Sequence, residues 1–306
     1  MFNKINVIQE EGIYRPPCYR NGEIISLSEV KMKMIYHYLI SALVLIQVCL
    51  PRQVYAIDII DNPNINGFIN LSGEIKPKDA EKLAVYYKTN NIAKSIFIDS
   101  PGGDLIEAIR IAEIVQLLQL QVVVPKGKYC TSACFLVFLA GNGRTAVGTI
   151  DGKLDNRMPV GYVGLHRPYL GSVENNNKSQ LAQSTAMKKV IKYLDNQLVP
   201  RRLIDMMMSR PSNDIYWLTS DDIEEIGDYA PAQEELYISK CGYDRKIFNQ
   251  MVEAKNAGNY SLHSEIKQRL NNIIQCIATL QIEPFDDGLK KLKSGWLPSK
   301  NPLKDM

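Results

Sequence analysis

The 306-residue chain is poor in the residues that build metal and redox centres: it has three His, six Cys and no Cys-x-x-Cys pair. A zinc site needs clustered Cys and His ligands, so none is expected, and six Cys are too sparse for a disulfide-built scaffold. No Gly-x-x-x-x-Gly-Lys-Ser/Thr loop is present, so any ATP-driven work would need a separate partner. The formal net charge is only +3 and no basic stripe accompanies it, which argues against nucleic-acid binding. No apolar run reaches the roughly 20 residues of a membrane-spanning helix. What remains is ordinary globular composition, 45% hydrophobic and 23% charged, with enough length for a substantial core.

The longest apolar stretch runs from Ile35 to Leu50, interrupted by His37, Ser41 and Gln47. Lys31 and Lys33 precede it and Val54-Tyr55-Ala56 follows. A basic flank, a short apolar core and a small-residue end describe a secretory signal cut after Ala56. The expected location is therefore periplasmic or secreted. The alternative is an uncleaved anchor, with membrane contact only through residues 35–50. Because some thirty residues precede the apolar core, Met32 or Met34 is the expected start. Cys49 is a poor lipid-attachment site, since Val48 is bulky where a small residue is wanted. Export leaves Cys130, Cys134, Cys241 and Cys276, which allow three pairings in an oxidising compartment. Cys241 with Cys276 is the favoured bridge because both lie in the C-terminal region.

Residues 57–231 read as one α/β domain of alternating strands and helices with largely parallel pairing. Residues 67–75, Ser95–Asp99, Gln121–Val124, 146–147 and Tyr162–Leu165 have strand character. Residues 77–87 read as a helix with Pro in its first turn. Leu105, Ala108, Ile109, Ala112 and Val115 repeat at helical spacing, residues 132–140 are apolar and of helical length, and residues 180–208 are mostly helical. Residues 232–289 form a helical extension, with helices over 243–257 and 262–282 linked at Gly258-Asn259. Residues 290–306 are basic, contain two Pro and are expected to lie disordered.

Three short stretches carry chemistry together. Asp99-Ser100-Pro101-Gly102-Gly103-Asp104 is a permissive turn between a strand and a helix, where backbone N–H groups stay unpaired and can face an anion. Tyr129-Cys130-Thr131-Ser132-Ala133-Cys134 places a Ser at a second such junction, with the following N–H free to stabilise an oxyanion. Gly164-Leu165-His166-Arg167-Pro168 puts an imidazole at a strand end. Singly these are a turn, an N-cap and a structural His. Their order in one α/β domain supplies an oxyanion turn, a nucleophile elbow and a base.

These motifs resemble those of the Clp protease proteolytic-subunit family, within the Clp/crotonase superfamily. The matching residues are Asp99-Ser100-Pro101-Gly102-Gly103, Thr131-Ser132-Ala133 and Leu165-His166-Arg167-Pro168. Leu71-Ser72-Gly73-Glu74-Ile75 resembles the opening strand and the segment from Trp217 to Gly227 the closing helix. The Cys-x-Ser-Ala-Cys form together with the signal is similar to the exported, periplasmic Clp-like branch.

The resemblance implies a Clp/crotonase-like fold of repeated β-α units. It implies Ser132 as nucleophile, His166 as general base, and Gly103 and Ala133 N–H as the oxyanion hole, with Gly102 allowing the turn. Asp214 is the nearest carboxylate for the third position. Alignment on Trp217 puts Ile215 there, one place away, and Asn213 or Asp205 are alternatives, as is a Ser/His dyad. Lys126 and Lys128, ahead of the elbow, offer a Ser–Lys alternative, with exposed loop charge as the plainer reading; Arg167 reads as a surface residue. Ser132 and His166 are further apart in sequence than in typical Clp subunits, and residues 148–159 read as the inserted surface loop. Cys130 and Cys134 either pack as small hydrophobes or bridge across the elbow. The expected function is an exported serine hydrolase, a peptidase, taking a peptide or protein substrate, needing no cofactor and forming a homo-oligomer. A catalytically inactive scaffold in the cell envelope is the alternative; acyl-CoA chemistry on the same fold is the third and weakest reading.

Overall fold

The computed structural model describes residues 57–89, 93–146, 162–168, 177–211, 213–300 and 302. The expected signal and its cleavage site, and the inserted loop over 148–159, lie outside the described residues. Among the described residues no helix is long and apolar enough to cross a membrane.

A five-stranded sheet has the order β1-β2-β3-β4-β6, with β1 (Asp58–Asp61), β2 (Phe68–Ser72), β3 (Ser95–Asp99), β4 (Gln121–Val124) and β6 (Arg144–Ala146). Only β1 runs antiparallel to its neighbour; β2, β3, β4 and β6 pair in parallel. Parallel neighbours need crossovers, and α1 (Asp79–Thr89), α2 (Leu105–Leu117) and α3 (Cys134–Ala140) supply them. This is the expected α/β architecture of repeated β-α units. A second sheet, β5-β7-β8, joins β5 (Tyr129–Thr131) and β7 (Tyr162–Leu165) in parallel and adds β8 (Tyr216–Trp217) antiparallel.

The core follows from side-chain period. Ile69 and Leu71 of β2, Ile96 and Ile98 of β3, and Val122 and Val124 of β4 alternate inward and are fully buried. α2 is buried on nearly every side, including Ile111 and Ile114, which fits a helix enclosed in a large core. Its start is fixed by Asp104, whose side chain accepts the Glu107 N–H at 2.8 Å. The apolar run before Gly141 is entirely buried as α3.

The segment expected to be mostly helical, 180–208, is built of α4 (Asn177–Asn196) and α5 (Arg201–Ser209), parted at Val199-Pro200. Pro200 lacks the N–H a continuing helix would need, and suits the start of the next one. α6 (Ser220–Ile226) opens on a capping box: the Thr219 hydroxyl accepts the Asp222 N–H at 3.2 Å, and the Asp222 carboxylate accepts the Thr219 N–H at 2.9 Å. The same carboxylate takes Arg202 of α5 and the Tyr216 hydroxyl, so this residue knits α5, β8 and α6 together.

Beyond it lie α7 (Pro231–Cys241), α8 (Ile247–Asn256), α9 (Tyr260–Leu280) and α10 (Ile282–Lys293). α7 to α9 hold a small core of their own around Tyr237, Tyr243, Ile247, Ile273 and Ile277, and a disulfide joins Cys241 to Cys276. The described part of the tail, residues 290–300 and 302, differs from its expected disorder. α10 crosses residue 290, and its Phe285, Leu289 and Leu292 enter the main core. Lys290, Lys291 and Lys293 dominate the composition there, yet the apolar residues recur at helical spacing and each contributes about 1.5–3 kcal/mol on burial. The Ser299 N–H then donates to Glu113 of α2 at 2.8 Å.

Candidate active site

The first part of the site is made by backbone. After β3, the Ser100 N–H donates to Tyr129 O at 2.7 Å and Ser100 O accepts the Thr131 N–H at 3.0 Å. The Thr131 hydroxyl donates to Pro101 O at 3.0 Å, and the Gly102 N–H donates to the Ser100 hydroxyl at 3.1 Å. The Pro-Gly-Gly turn is thereby fastened to β5. On its other side Ile75 donates its N–H to Gly102 O at 2.7 Å and accepts the Asp104 N–H at 2.8 Å. Gly102 sits at φ +90°, and a Cβ there would lie 2.7 Å from the Ser132 Cβ and 2.9 Å from the Ala133 nitrogen. Gly103 is closed in by Ile75, whose oxygen would meet an added Cβ at 2.2 Å.

The second part is the elbow. β5 ends at Thr131, and Ser132 adopts φ +58°, a left-handed backbone that residues with a Cβ rarely hold. Its N–H donates to Gly164 O of β7 at 3.1 Å, and its own carbonyl accepts the Phe135 N–H at 3.0 Å. A disulfide joins Cys130 to Cys134 across it. Among the described residues the Gly103 and Ala133 N–H groups have no hydrogen-bond partner. Both residues line one narrow cavity with Ser132 and His166, of about 20 Å³, room for one water-sized group. Its other walls are apolar, from Leu105, Leu136, Leu165, Val190 and Met207.

The third part is the imidazole that follows β7. His166 is half-buried, and its Nδ1 lies 2.9 Å from Arg167 O. A carbonyl oxygen can only accept, so the contact puts a proton on Nδ1 and leaves Nε2, in the neutral ring, as the lone-pair nitrogen. Ser132 and His166 share the cavity without a hydrogen bond between them among the described residues. Free enzymes often hold such a pair loosely and tighten it around substrate.

The structure brings Ser132, His166, Gly102, Gly103 and Ala133 together. It does not bring Asp214 to the imidazole. Asp214 is exposed, and its carboxylate accepts from Arg210 at 2.7 Å. Asp205 is exposed and paired with Arg201 at 3.0 Å, and Asn213 is exposed. Lys128 is paired with Asp99 at 2.9 Å, and that hydrogen bond raises its pKa, the opposite of what a lysine base needs. Lys126 is exposed on the preceding turn and Arg167 is exposed as well. Because Asp214 is engaged elsewhere, Asp214→Asn is expected to change the rate of reaction with a fluorophosphonate less than about threefold. A loss as large as that of His166→Ala would place Asp214 in the proton relay after all.

Sequence reasoning did not foresee the Arg167 carbonyl beside the imidazole or the clasp of Ile75 on the Gly-Gly turn. Backbone partners leave no residue-type signal. Val190 and Met207 as cavity walls were hidden in helices whose apolar period reports burial but not which neighbour is met.

Searches of protein-family models and of curated proteins return no match for this chain. Among solved structures, it is similar to a Ser→Ala mutant of the 1510-N membrane-bound stomatin-specific protease, at 17% identity and TM-score 0.36, over 57% of this chain and 83% of that one. It is also similar to ClpP1 from Listeria monocytogenes, at 17% identity and TM-score 0.36, over 53% of this chain and 88% of that one.

Proposed function

We propose that the chain is an exported, Clp-type serine hydrolase that cleaves peptide or protein substrates. The observation that carries this reading is the shared cavity. One hydroxyl, one imidazole and two main-chain N–H groups without partners among the described residues all border it. In this reading Ser132 Oγ attacks the carbonyl carbon and its proton passes to His166 Nε2. The carbonyl oxygen becomes an alkoxide held by the Gly103 and Ala133 N–H groups. Collapse of the intermediate breaks the C–N bond, and Nε2 returns the proton to the departing amine. Water then attacks the acyl-enzyme by the same route. The apolar walls suit a small apolar side chain beside the scissile bond. Every group used belongs to the chain, so this chemistry asks for no cofactor. The Clp-like motifs favour a homo-oligomer, and the sequence signal favours a periplasmic or secreted location.

The second reading is an inactive scaffold in the cell envelope, favoured by the absence of a carboxylate on His166 among the described residues. Incubating the purified chain with a fluorophosphonate and mapping the adduct by peptide mass separates the two. Modification confined to Ser132 is expected. An unmodified chain at saturating probe, with a protein partner retained in envelope pull-downs, would leave only the scaffold.

A further inference from the structure

Two disulfides join described residues, and they differ in what they enclose. Cys241–Cys276 spans a sequence separation of 35 and ties α7 to α9; Cys130–Cys134 spans 4 and encloses only Thr131, Ser132 and Ala133. A cross-link restricts the unfolded chain more as its loop lengthens, so the short bridge is the weaker of the two as a global staple. Its loop instead contains the left-handed Ser132 and the Ala133 N–H, both on the cavity. Both of its cysteines are fully buried, Cys130 at the middle of β5 and Cys134 at the first residue of α3. The bridge thus pins the end of a strand to the start of a helix with the unfavourable φ between them. Against that φ the described backbone offers two hydrogen bonds at Ser132 itself, to Gly164 O and from the Phe135 N–H.

We infer that Cys130 and Cys134 are positioning residues: their disulfide holds the Ser132 hydroxyl and the Ala133 N–H in reacting geometry, while Cys241–Cys276 serves stability alone. This rests on Ser132 being the nucleophile. The bridge is closed in the resting protein and takes no part in the bond changes at the substrate.

The test compares the full chain, purified oxidised, with Cys130→Ala/Cys134→Ala and with Cys241→Ala/Cys276→Ala, using a fluorophosphonate over a range of concentrations. For the first pair the maximal inactivation rate should fall at least tenfold, with the half-saturating probe concentration unchanged. For the second pair the rate should stay within twofold while Tm falls further. A Cys130→Ala/Cys134→Ala protein that reacts within twofold of wild type overturns the inference. So does a loss confined to the half-saturating concentration.

If the first double variant does not fold, the wild type is reduced with dithiothreitol until thiol titration registers all six cysteines of the full chain. The dithiol gives up two electrons and two protons per bridge, becoming a cyclic disulfide and leaving two thiols. The same loss, regained on oxidation with oxidised glutathione, supports the inference; an unchanged rate rejects it. If the wild type does not react with the probe at all, the hydrolase reading fails, and amide hydrogen exchange over residues 129–135 decides the positioning claim separately. Faster exchange there without the bridge sustains it, and equal protection ends it.

Discussion

Ser132→Ala is expected to abolish fluorophosphonate modification and to lower peptide hydrolysis by at least about 10³-fold, with the variant unfolding at the wild-type temperature. The size of the effect comes from what the hydroxyl does. Removing the nucleophile of a serine hydrolase removes the acyl-enzyme route altogether, and the residual rate reflects only the oxyanion donors and substrate binding. The fold should not notice. Ser132 is half-buried, its structural ties run through its backbone N–H and carbonyl, and Ala keeps both. The left-handed φ of +58° strains Ala about as it strains Ser, so that cost cancels between the two proteins. Active-site titration together with thermal unfolding reads both halves of the result. Equal modification of the variant would mean that another residue is the nucleophile. A large drop in Tm would mean that the hydroxyl holds structure instead.

What could be read from the residues alone follows a physical pattern. β3, β4 and β7 have the bounds their sequences suggest, because each is a run of apolar or β-branched residues entering a buried sheet. β1 was missed: Asp58–Asp61 is largely exposed, and it becomes a strand only because β2 is there to pair with it. β5 was missed as well, since Tyr129–Thr131 is too short to show a period and is defined by its pairing with β7. α7 begins at Pro231, the residue taken as a domain end, where Pro was acting as a helix start.

The site was legible to the extent that it depends on residue type. A Ser after a strand, a Gly pair whose neighbours exclude a Cβ, and a His at a strand end are visible as letters. The group that orients His166 was not. In a triad that role falls to a carboxylate, and the nearest in sequence is Asp214, one place from the position the Clp resemblance indicates. The chain gives Asp214 to Arg210, and the Nδ1 proton of His166 meets a backbone carbonyl. A carbonyl can fix the tautomer as a carboxylate does, but it brings no full negative charge to stabilise the imidazolium. That difference makes slow turnover the natural expectation for this site, and it makes the oxyanion donors carry a larger share of whatever rate there is.

Gly102→Ala should therefore be among the most damaging substitutions outside the Ser/His pair. Its added Cβ would lie 2.6 Å from Thr131 O, 2.7 Å from the Ser132 Cβ and 2.9 Å from the Ala133 nitrogen. Two of these atoms are backbone and cannot swing aside, so the elbow itself must shift. A displacement of this kind misaims the Ala133 N–H and moves the hydroxyl together with it. Loss of a single oxyanion donor typically costs about 10²–10³ in rate, and the variant should lose at least that in maximal inactivation rate. The φ of +90° adds strain of about 1–3 kcal/mol, which lowers the urea midpoint. Gly127→Ala separates the two effects. Gly127 also has a positive φ, +76°, but an added Cβ meets nothing within 4 Å. It should lower stability by a comparable conformational cost and leave the rate within about twofold. If both variants slow equally, the loss comes from general loosening of the fold. If Gly102→Ala alone slows, the Gly-Gly turn and the serine elbow act as one piece, with the turn setting where the oxyanion is held.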